Sequence, residues 1–209
     1  MKIKLYYTPE TRAHRPRWLL EEMGLDYQLE YIDIFSGKSM SKSYRAIHPH
    51  GSVPAIDIDG KVMFESGAIC HWLTDQLPQY QLAPAMDDPL RRDYEQWMFY
   101  APGTMEPPYM IAAMHEYILL EKRRVPEIVP WAKKQYGFVL RVLESELKAR
   151  DYIVGDQFTT ADIMIGTYLI WSERFLGQHE ALQSYVKRLV ERPACQRAME
   201  ETKEHDKLN

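Results

Sequence analysis

The chain has 209 residues, with 26 basic and 30 acidic side chains, a formal net charge of −4 and 45% hydrophobic residues. At about 150 residues per domain this length predicts one large domain or two small ones, and the slight acidity argues against polybasic binding of nucleic acid or anionic membranes. The two cysteines, Cys70 and Cys195, exclude a cysteine-rich secreted scaffold and a four-thiolate zinc site. No apolar run approaches the roughly 20 residues that span a bilayer, and MKIKLYYTPE has no signal-peptide core, so we expect a cytoplasmic protein.

The first part of the chain, to about residue 78, alternates between strand and helix patterns. The predicted elements are a strand at Lys2–Tyr7, a helix at Arg12–Met23, a strand at Tyr27–Ile32, a short helix at Ser39–Ile47, two strands within 53–64 and a helix at Ser66–Leu77. Asp59-Gly60 is a strong hairpin signal between the last two strands. The order β-α-β-α-β-β-α predicts a thioredoxin-like α/β domain.

Downstream of this region, every periodic segment from about residue 89 is helical. The turn-rich segment PQYQLAPAMDD predicts a linker at 79–88, and hence domains at 1–78 and 89–209. The predicted helices are Pro89–Tyr100, about 105–123, Glu127–Ala149, Thr160–Phe175, Ala181–Val190 and Ala194–Lys203. Three prolines, Pro102, Pro107 and Pro108, predict an interruption that bends the chain after the first of these helices. The second domain is therefore predicted to be an all-α bundle.

The segment SVPAI places Pro54 at the head of a predicted strand. A proline there fits an edge strand or a cis peptide bond. A Val-Pro step would leave the backbone N–H and C=O of Val53 able to pair with an extended peptide as an added strand. From the pentapeptide alone, an ordinary edge-strand proline is the favoured alternative.

Glu65 and Ser66 stand where a helix begins directly after a strand. Free N–H groups and the positive end of the helix dipole make such a point favourable for a carboxylate or a phosphate. Glu65 is suited in addition to holding an ammonium group. The simpler alternative, favoured for this segment taken alone, is an N-cap by Ser66.

The loop from Thr8 to Arg12 joins the first strand to the first helix. A hydroxyl at a helix N-terminus would stabilise a thiolate placed opposite it, by a hydrogen bond and by the dipole. The alternative is that Thr8 or Thr11 only caps the helix. Taken singly, each of these three segments is a weak signal.

Taken together, the three segments lie at one end of a thioredoxin-like sheet, and the whole chain to about residue 205 resembles a cytosolic glutathione S-transferase of bacterial type. SVPAI and ESGAI are similar to the two glutathione-binding motifs of that family, and FTTADIMI and ERPACQRAME resemble its helical-domain signatures. The resemblance implies glutathione as co-substrate. It implies that Val53 pairs with the cysteinyl part beside a cis Pro54, and that Glu65 and Ser66 hold the γ-glutamyl amino and carboxylate groups.

The resemblance also implies that a group in the first turn stabilises the glutathione thiolate. We favour Thr8 and then Thr11 as the catalytic residue. Tyr6 and Tyr7 are further alternatives, of which strand alternation lets at most one face the site. Arg12 stands about where beta-class members have a cysteine, so cysteine-type chemistry is not supported.

A small hydrophobic electrophile, the second substrate, would lie against the helical domain. An aromatic and methionine-rich group there suits a promiscuous apolar pocket, with plain bundle core as an equal alternative. The proposed pocket residues are Trp97, Tyr100, Met105 and Tyr109.

Other chemistry-bearing residues are expected to be structural. Cys70 is expected to be a packed core thiol, and the spacing of Thr159 and Asp162 predicts a capping box rather than a catalytic acid. Ser52 replaces the basic or amide side chain that the family often has before Val-Pro, and His48 or His50 is an alternative contact for the glycyl carboxylate. A surface-loop role without a metal is favoured for both histidines.

The leading hypothesis is a glutathione transferase that activates the glutathione thiolate for attack on the electrophile, with a role in detoxification. The resemblance implies a homodimer, while the charge, the hydropathy and the histidine spacing predict no nucleic-acid, membrane or metal partner. One alternative is a glutathione-dependent reductase or peroxidase. Another is a non-catalytic binding or regulatory protein that keeps the pocket.

Overall fold

The computed structural model describes residues 1–200. They form two compact units, one made of residues 1–80 together with 190–200 and the other of residues 81–189. The first division falls within the predicted linker at 79–88. The C-terminal end differs from the predicted domains, because residues 190–200 group with the first unit rather than with the helical one. The end of the last predicted helix, beyond residue 200, lies outside the described residues.

The first unit is built on one four-stranded sheet. Its strands are β1 (Ile3–Tyr7), β2 (Gln28–Tyr31), β3 (Ala55–Ile58) and β4 (Lys61–Phe64), in the spatial order β2-β1-β3-β4. β2 runs parallel to β1, β3 is antiparallel to β1, and β4 is antiparallel to β3. Asp59 and Gly60, with φ of +51° and +84°, make the turn between β3 and β4. The predicted thioredoxin-like arrangement is confirmed.

The helices of both units follow the predicted order, most of them with shorter bounds, and the predicted helix at Thr160–Phe175 is divided into two. They are α1 (His14–Met23), α2 (Lys42–Arg45), α3 (Ser66–Gln76), α4 (Arg91–Tyr100), α5 (Glu106–Ala113), α6 (Val129–Leu147), α7 (Thr160–Trp171), α8 (Glu173–Leu176), α9 (Glu180–Val190) and α10 (Pro193–Met199). Two π-helical turns, Ala101–Met105 and Met114–Ile118, flank α5. Among residues 1–200, no helix is both long and apolar enough to cross a membrane.

The predicted interruption after α4 takes the form of a π-helical turn between two α-helices rather than a non-helical break. The residues that join α4, the first π-helical turn and α5 all keep right-handed helical φ and ψ angles. Pro102 lies inside the π-helical turn, and Pro107 and Pro108 lie in the first turn of α5. A π-helical turn shifts the hydrogen-bond register, and a helical first turn tolerates residues without an N–H, so the three prolines are accommodated.

Helix α1 carries two charged residues that hold α10, the buried Arg17 and the partly buried Glu22. Arg17 donates to the carbonyl oxygens of Arg197 (3.0 Å) and Glu200 (2.9 Å) at the end of α10, where carbonyl groups lack the partners that a continuing helix would supply. Arg192 binds both carboxylate oxygens of Glu22, at 2.7 and 2.8 Å. Trp18 also donates to Glu22, at 2.9 Å. These contacts attach α10 to α1 and explain why the C-terminal segment belongs to the first unit.

The exposure of Glu22 indicates that this attachment is energetically important. Only 9% of its side chain is exposed, against 27% for Arg192, so Glu22→Gln leaves a guanidinium half-buried without its charge partner. We expect the variant to lose about 2 kcal/mol of unfolding free energy in urea titrations followed by circular dichroism.

Glu146→Gln is the matched control, because Glu146 pairs with Arg150 while both side chains are 37% exposed. A loss below about 0.5 kcal/mol is expected for this exposed pair. Equal losses in the two variants would contradict the assigned role of Glu22.

The second unit is organised around α7, in which every residue from Thr160 to Leu169 is buried. Its N-terminus has the predicted capping box, which is confirmed. The Asp162 carboxylate accepts hydrogen bonds from the backbone N–H of Ile153 (2.8 Å), from the backbone N–H and hydroxyl of Thr159 (2.8 and 3.1 Å) and from the Tyr185 hydroxyl (2.7 Å). Burial raises the pKa of Asp162 to about 6, although the hydrogen bonds from these donors act to lower it. At neutral pH the carboxylate is therefore ionised and only accepts hydrogen bonds.

Asp162→Asn tests this capping site. The side-chain NH₂ of the asparagine would replace one carboxylate oxygen and would face groups that themselves donate hydrogen bonds. We therefore expect a loss of about 3 kcal/mol in unfolding free energy. Asp151→Asn is the control, because Asp151 is 70% exposed in its pair with Arg188 and should lose less than about 0.5 kcal/mol. An Asp162→Asn protein as stable as the Asp151→Asn protein would refute the capping role.

Candidate functional site

The strand register brings the three predicted segments to one end of the sheet. Tyr6 lies opposite Ala55, and Ala55 lies opposite Phe64. The residue after β1 is Thr8, the residue before β3 is Pro54, and the residue after β4 is Glu65. Antiparallel pairing therefore gathers the first loop, the Val-Pro step and the start of α3.

The first loop is held by its own hydroxyl groups. Thr8 is 3% exposed, and its Oγ1 donates to the Ile32 carbonyl at 2.5 Å. Thr11 is half-buried; its Oγ1 donates to the Thr8 carbonyl at 2.6 Å and accepts from the Ala13 N–H at 3.3 Å. Both hydroxyl groups shape the turn that leads into α1, and each would have to rotate to serve a ligand.

The two tyrosines of β1 are buried and have different neighbours. The Tyr6 ring makes an edge contact with Tyr44 at 6.0 Å between centroids, and the Tyr7 ring makes one with Tyr31 at 6.3 Å. The guanidinium of Arg17 lies 5.7 Å from the centre of the Tyr7 ring. With exposures of 5% and 2%, these rings belong to the core.

The Val53–Pro54 peptide bond is cis, as the resemblance implies. The loop before it is tight: Gly51 has φ of +60°, and a Cβ atom there would come within 2.7 Å of the Ser39 carbonyl oxygen. The Tyr44 hydroxyl donates to the Ser52 carbonyl at 2.8 Å. These contacts fix the backbone that leads into the Val-Pro step.

His48 is not the surface residue that we expected. It is 5% exposed, its ring lies 5.0 Å from that of Phe64, and its Nδ1 accepts from the His50 N–H at 3.3 Å. Burial lowers the pKa of His48, which favours the neutral ring. The Gly51 N–H donates to the His48 carbonyl at 2.8 Å and closes the turn, while the ring contact with Phe64 accounts for the burial of the imidazole. Among residues 1–200, no group of three or more His, Cys, Asp or Glu side chains is placed to hold a metal ion.

Glu65 precedes α3 with φ of +75°, a conformation that only glycine adopts at low energy. Backbone strain of this kind costs of order 1–3 kcal/mol and is concentrated at ligand sites. The Glu65 side chain is exposed, whereas Ser66, the first residue of α3, is 5% exposed. The strained residue therefore presents a free carboxylate beside the N-terminus of a helix.

Arg15 is the residue of this region that the sequence analysis missed. Its side chain is 1% exposed, and its Nη1 donates to the Ser66 hydroxyl at 3.0 Å. The available signal was helical spacing, because Arg15 lies three and four residues before Trp18 and Leu19, which are both fully buried. A basic residue within the apolar stripe of a helix has a buried partner or role.

The four proposed pocket residues all lie in the second unit. Trp97 and Tyr100 contact each other through their rings, with centroids 5.0 Å apart. Met105 is fully buried and Tyr109 is 4% exposed, while Tyr100 is half-buried. The Tyr109 ring packs among a group of aromatic rings, whose centroids are 5.5–6.2 Å away: Tyr136, Tyr168 and Phe175. Met105 and Tyr109 thus contribute to bundle core, and a pocket beside Tyr100 stays a prediction.

Comparison with known proteins agrees with this geometry. The family model of the glutathione S-transferase N-terminal domain matches residues 11–76, and that of the C-terminal domain matches residues 108–193. The chain is 28% identical to the glutathione S-transferase GstA of Escherichia coli O157:H7, with 94% of this chain and 97% of GstA covered. It is 26% identical to the disulfide-bond oxidoreductase YfcG of Escherichia coli K12, with 94% of each chain covered.

A solved structure gives the same result for the fold. The sphingomonad glutathione S-transferase complexed with glutathione superimposes with a TM-score of 0.82 at 25% identity, over 94% of this chain and 96% of that chain. The two family models cover most of the sequence, and in this chain a thioredoxin-like sheet with a cis-proline is followed by a helical unit. The chain belongs to the glutathione S-transferase family.

Proposed function

We propose that this protein is a glutathione transferase, which binds glutathione at the end of the sheet and activates its thiol for attack on a small hydrophobic electrophile. One observation carries the proposal: the register of β1, β3 and β4 gathers Thr8, the cis Val53–Pro54 step and the start of α3. The convergence supplies a backbone edge, an anion site and hydroxyl groups within one small region.

The groups of glutathione match these features in chemical type. The backbone of Val53 is proposed to pair with the cysteinyl residue, in the manner of an added strand. Ser66 and the free N–H groups of α3 favour the α-carboxylate of the γ-glutamyl residue, and the exposed carboxylate of Glu65 favours its ammonium group. Local groups supply the binding, so the net charge of −4 is no obstacle.

The proposed chemistry is thiol activation. A free thiol has a pKa of about 8.5, and lowering it by about 2 units requires about 2.7 kcal/mol of stabilisation of the thiolate. One charge-assisted hydrogen bond from Thr8 or Thr11, together with the N-terminal dipole of α1, is of that size. The thiolate then forms a bond to an electrophilic carbon and displaces its leaving group.

A second candidate is a glutathione-dependent reductase, which the similarity to YfcG favours. Cys70 and Cys195 are buried, and burial raises the pKa of each thiol to about 12, so neither is a reactive thiolate. Two glutathione molecules would then supply one electron each to a disulfide or peroxide substrate and be released as glutathione disulfide. The products distinguish the two reactions: a thioether and a released leaving group for the transferase, and glutathione disulfide for the reductase.

The proposal includes a cytoplasmic homodimer with a role in detoxification. Family membership supports this part of the proposal, and the electrophile is described only as small and hydrophobic.

The thiol of bound glutathione provides the test of the proposed activation. Titration of the complex with pH, followed by the ultraviolet absorbance of the thiolate, should give a pKa about 2 units below that of free glutathione. Thr8→Ala or Thr11→Ala should raise this pKa by about 1 unit or more, and the larger change identifies the activating hydroxyl.

Thr8→Ser and Thr11→Ser are the matched controls, since each keeps the hydroxyl and should keep the low pKa. Thiol titration at the value of free glutathione in the wild-type complex would contradict the transferase proposal. An unchanged pKa in both alanine variants would remove the threonines from the mechanism.

A further inference from the structure

Arg15 is an enclosed cation directly behind the proposed carboxylate site. It lies on the second helical position of α1, is 1% exposed, and reaches the first residue of α3 through the 3.0 Å hydrogen bond to Ser66. A guanidinium stays charged at all physiological pH values, and its desolvation is costly. A buried charge at this position calls for an explanation beyond helix packing.

The hydrogen bond fixes the orientation of the Ser66 hydroxyl. A serine hydroxyl has one hydrogen to donate and two lone pairs to accept with. Because Arg15 donates to Ser66 Oγ, one lone pair is used and the hydroxyl hydrogen is directed away from the guanidinium. That hydrogen is then oriented to be donated, which is what binding of a carboxylate requires.

The charges around Arg15 add to this effect. The N-terminus of α3 contributes a partial positive charge at the same place. Cys70, one turn further along α3, is fully buried, and burial raises the pKa of its thiol to about 12, so the thiol remains neutral. Cys70 therefore adds no negative charge that would offset the attraction of the guanidinium for an anion placed beyond Ser66.

We propose that Arg15 is a positioning residue that acts through Ser66 and makes the site selective for thiols bearing the α-carboxylate of a γ-glutamyl group. This inference rests on the proposed glutathione site and assigns its carboxylate selectivity to a side chain that a ligand does not touch. A purely structural Arg15, which only joins α1 to α3, would affect all ligands of the site alike.

The experiment compares two ligands by calorimetric titration. One is glutathione, and the other is the analogue in which hydrogen replaces the α-carboxylate of the γ-glutamyl residue. The variants are Arg15→Met, Arg15→Lys, Ser66→Ala and the double variant Arg15→Met with Ser66→Ala. Arg17→Met is the matched control, because Arg17 is a buried arginine of the same helix, 8% exposed, that bonds to the end of α10 instead.

We expect wild-type protein to prefer glutathione over the analogue by about 10-fold or more. Arg15→Met should weaken glutathione binding by about 10–100-fold and analogue binding by less than about threefold. Arg15→Lys should fall between, because an ammonium keeps the charge but lacks the planar fork. The double variant should be no more than about threefold weaker than Ser66→Ala, because both changes remove the same interaction. Arg17→Met should leave the preference between ligands unchanged.

The inference is overturned if Arg15→Met weakens the binding of both ligands equally. It is also overturned if the losses of affinity from the two single substitutions multiply in the double variant. If Arg15→Met fails to fold, the same two ligands are compared with Arg15→Lys. An equal loss of affinity for both ligands would again contradict the role of Arg15 in carboxylate selectivity. A wild-type protein that binds neither ligand at millimolar concentration would instead overturn the proposed function.

Discussion

The antiparallel pairing of β1 with β3, and of β3 with β4, is the constraint on which the candidate site depends. It places the residues after β1, before β3 and after β4 at one end of the sheet. Each of the three connections is then shaped for that position by a local device. The first loop is closed by threonine hydroxyls, the second has the cis Val53–Pro54 bond, and the third has Glu65 at φ of +75°. Sheet register sets where the groups meet, and loop chemistry sets which groups they are.

Helix α1 links this site to the end of the described chain. Arg15 and Arg17 are two residues apart, so a helical rotation of about 200° directs them to nearly opposite sides. Arg15 reaches Ser66 at the start of α3, while Arg17 reaches the carbonyl groups at the end of α10. One helix thus supports the proposed ligand site with one buried cation and holds the C-terminal segment with another.

The parts of the fold that follow local rules were predictable from the sequence. The Asp59-Gly60 turn, the stop of α1 at Gly24 and the capping box at Thr159 depend on residues within a few positions of each other. The approximate place of the three site segments also followed from element order alone.

The parts that depend on distant contacts were not predictable. The pairs that attach α10 to α1 join residues about 170 positions apart, such as Arg192 and Glu22, and helical periodicity does not report such partners. His48 is buried with its ring beside Phe64 at the end of β4, and the sequence around His48 does not report that contact. Pro102 remains inside a helix because a π-helical turn changes the hydrogen-bond register around it.

A crystal structure of the protein with glutathione bound would test the proposed site. We predict a tripeptide whose cysteinyl residue pairs with the backbone of Val53 and whose α-carboxylate lies within hydrogen-bond distance of Ser66, with the sulfur beside the loop from Thr8 to Thr11. Glutathione bound elsewhere in the molecule, or this end of the sheet left empty in crystals grown at saturating glutathione, would contradict it.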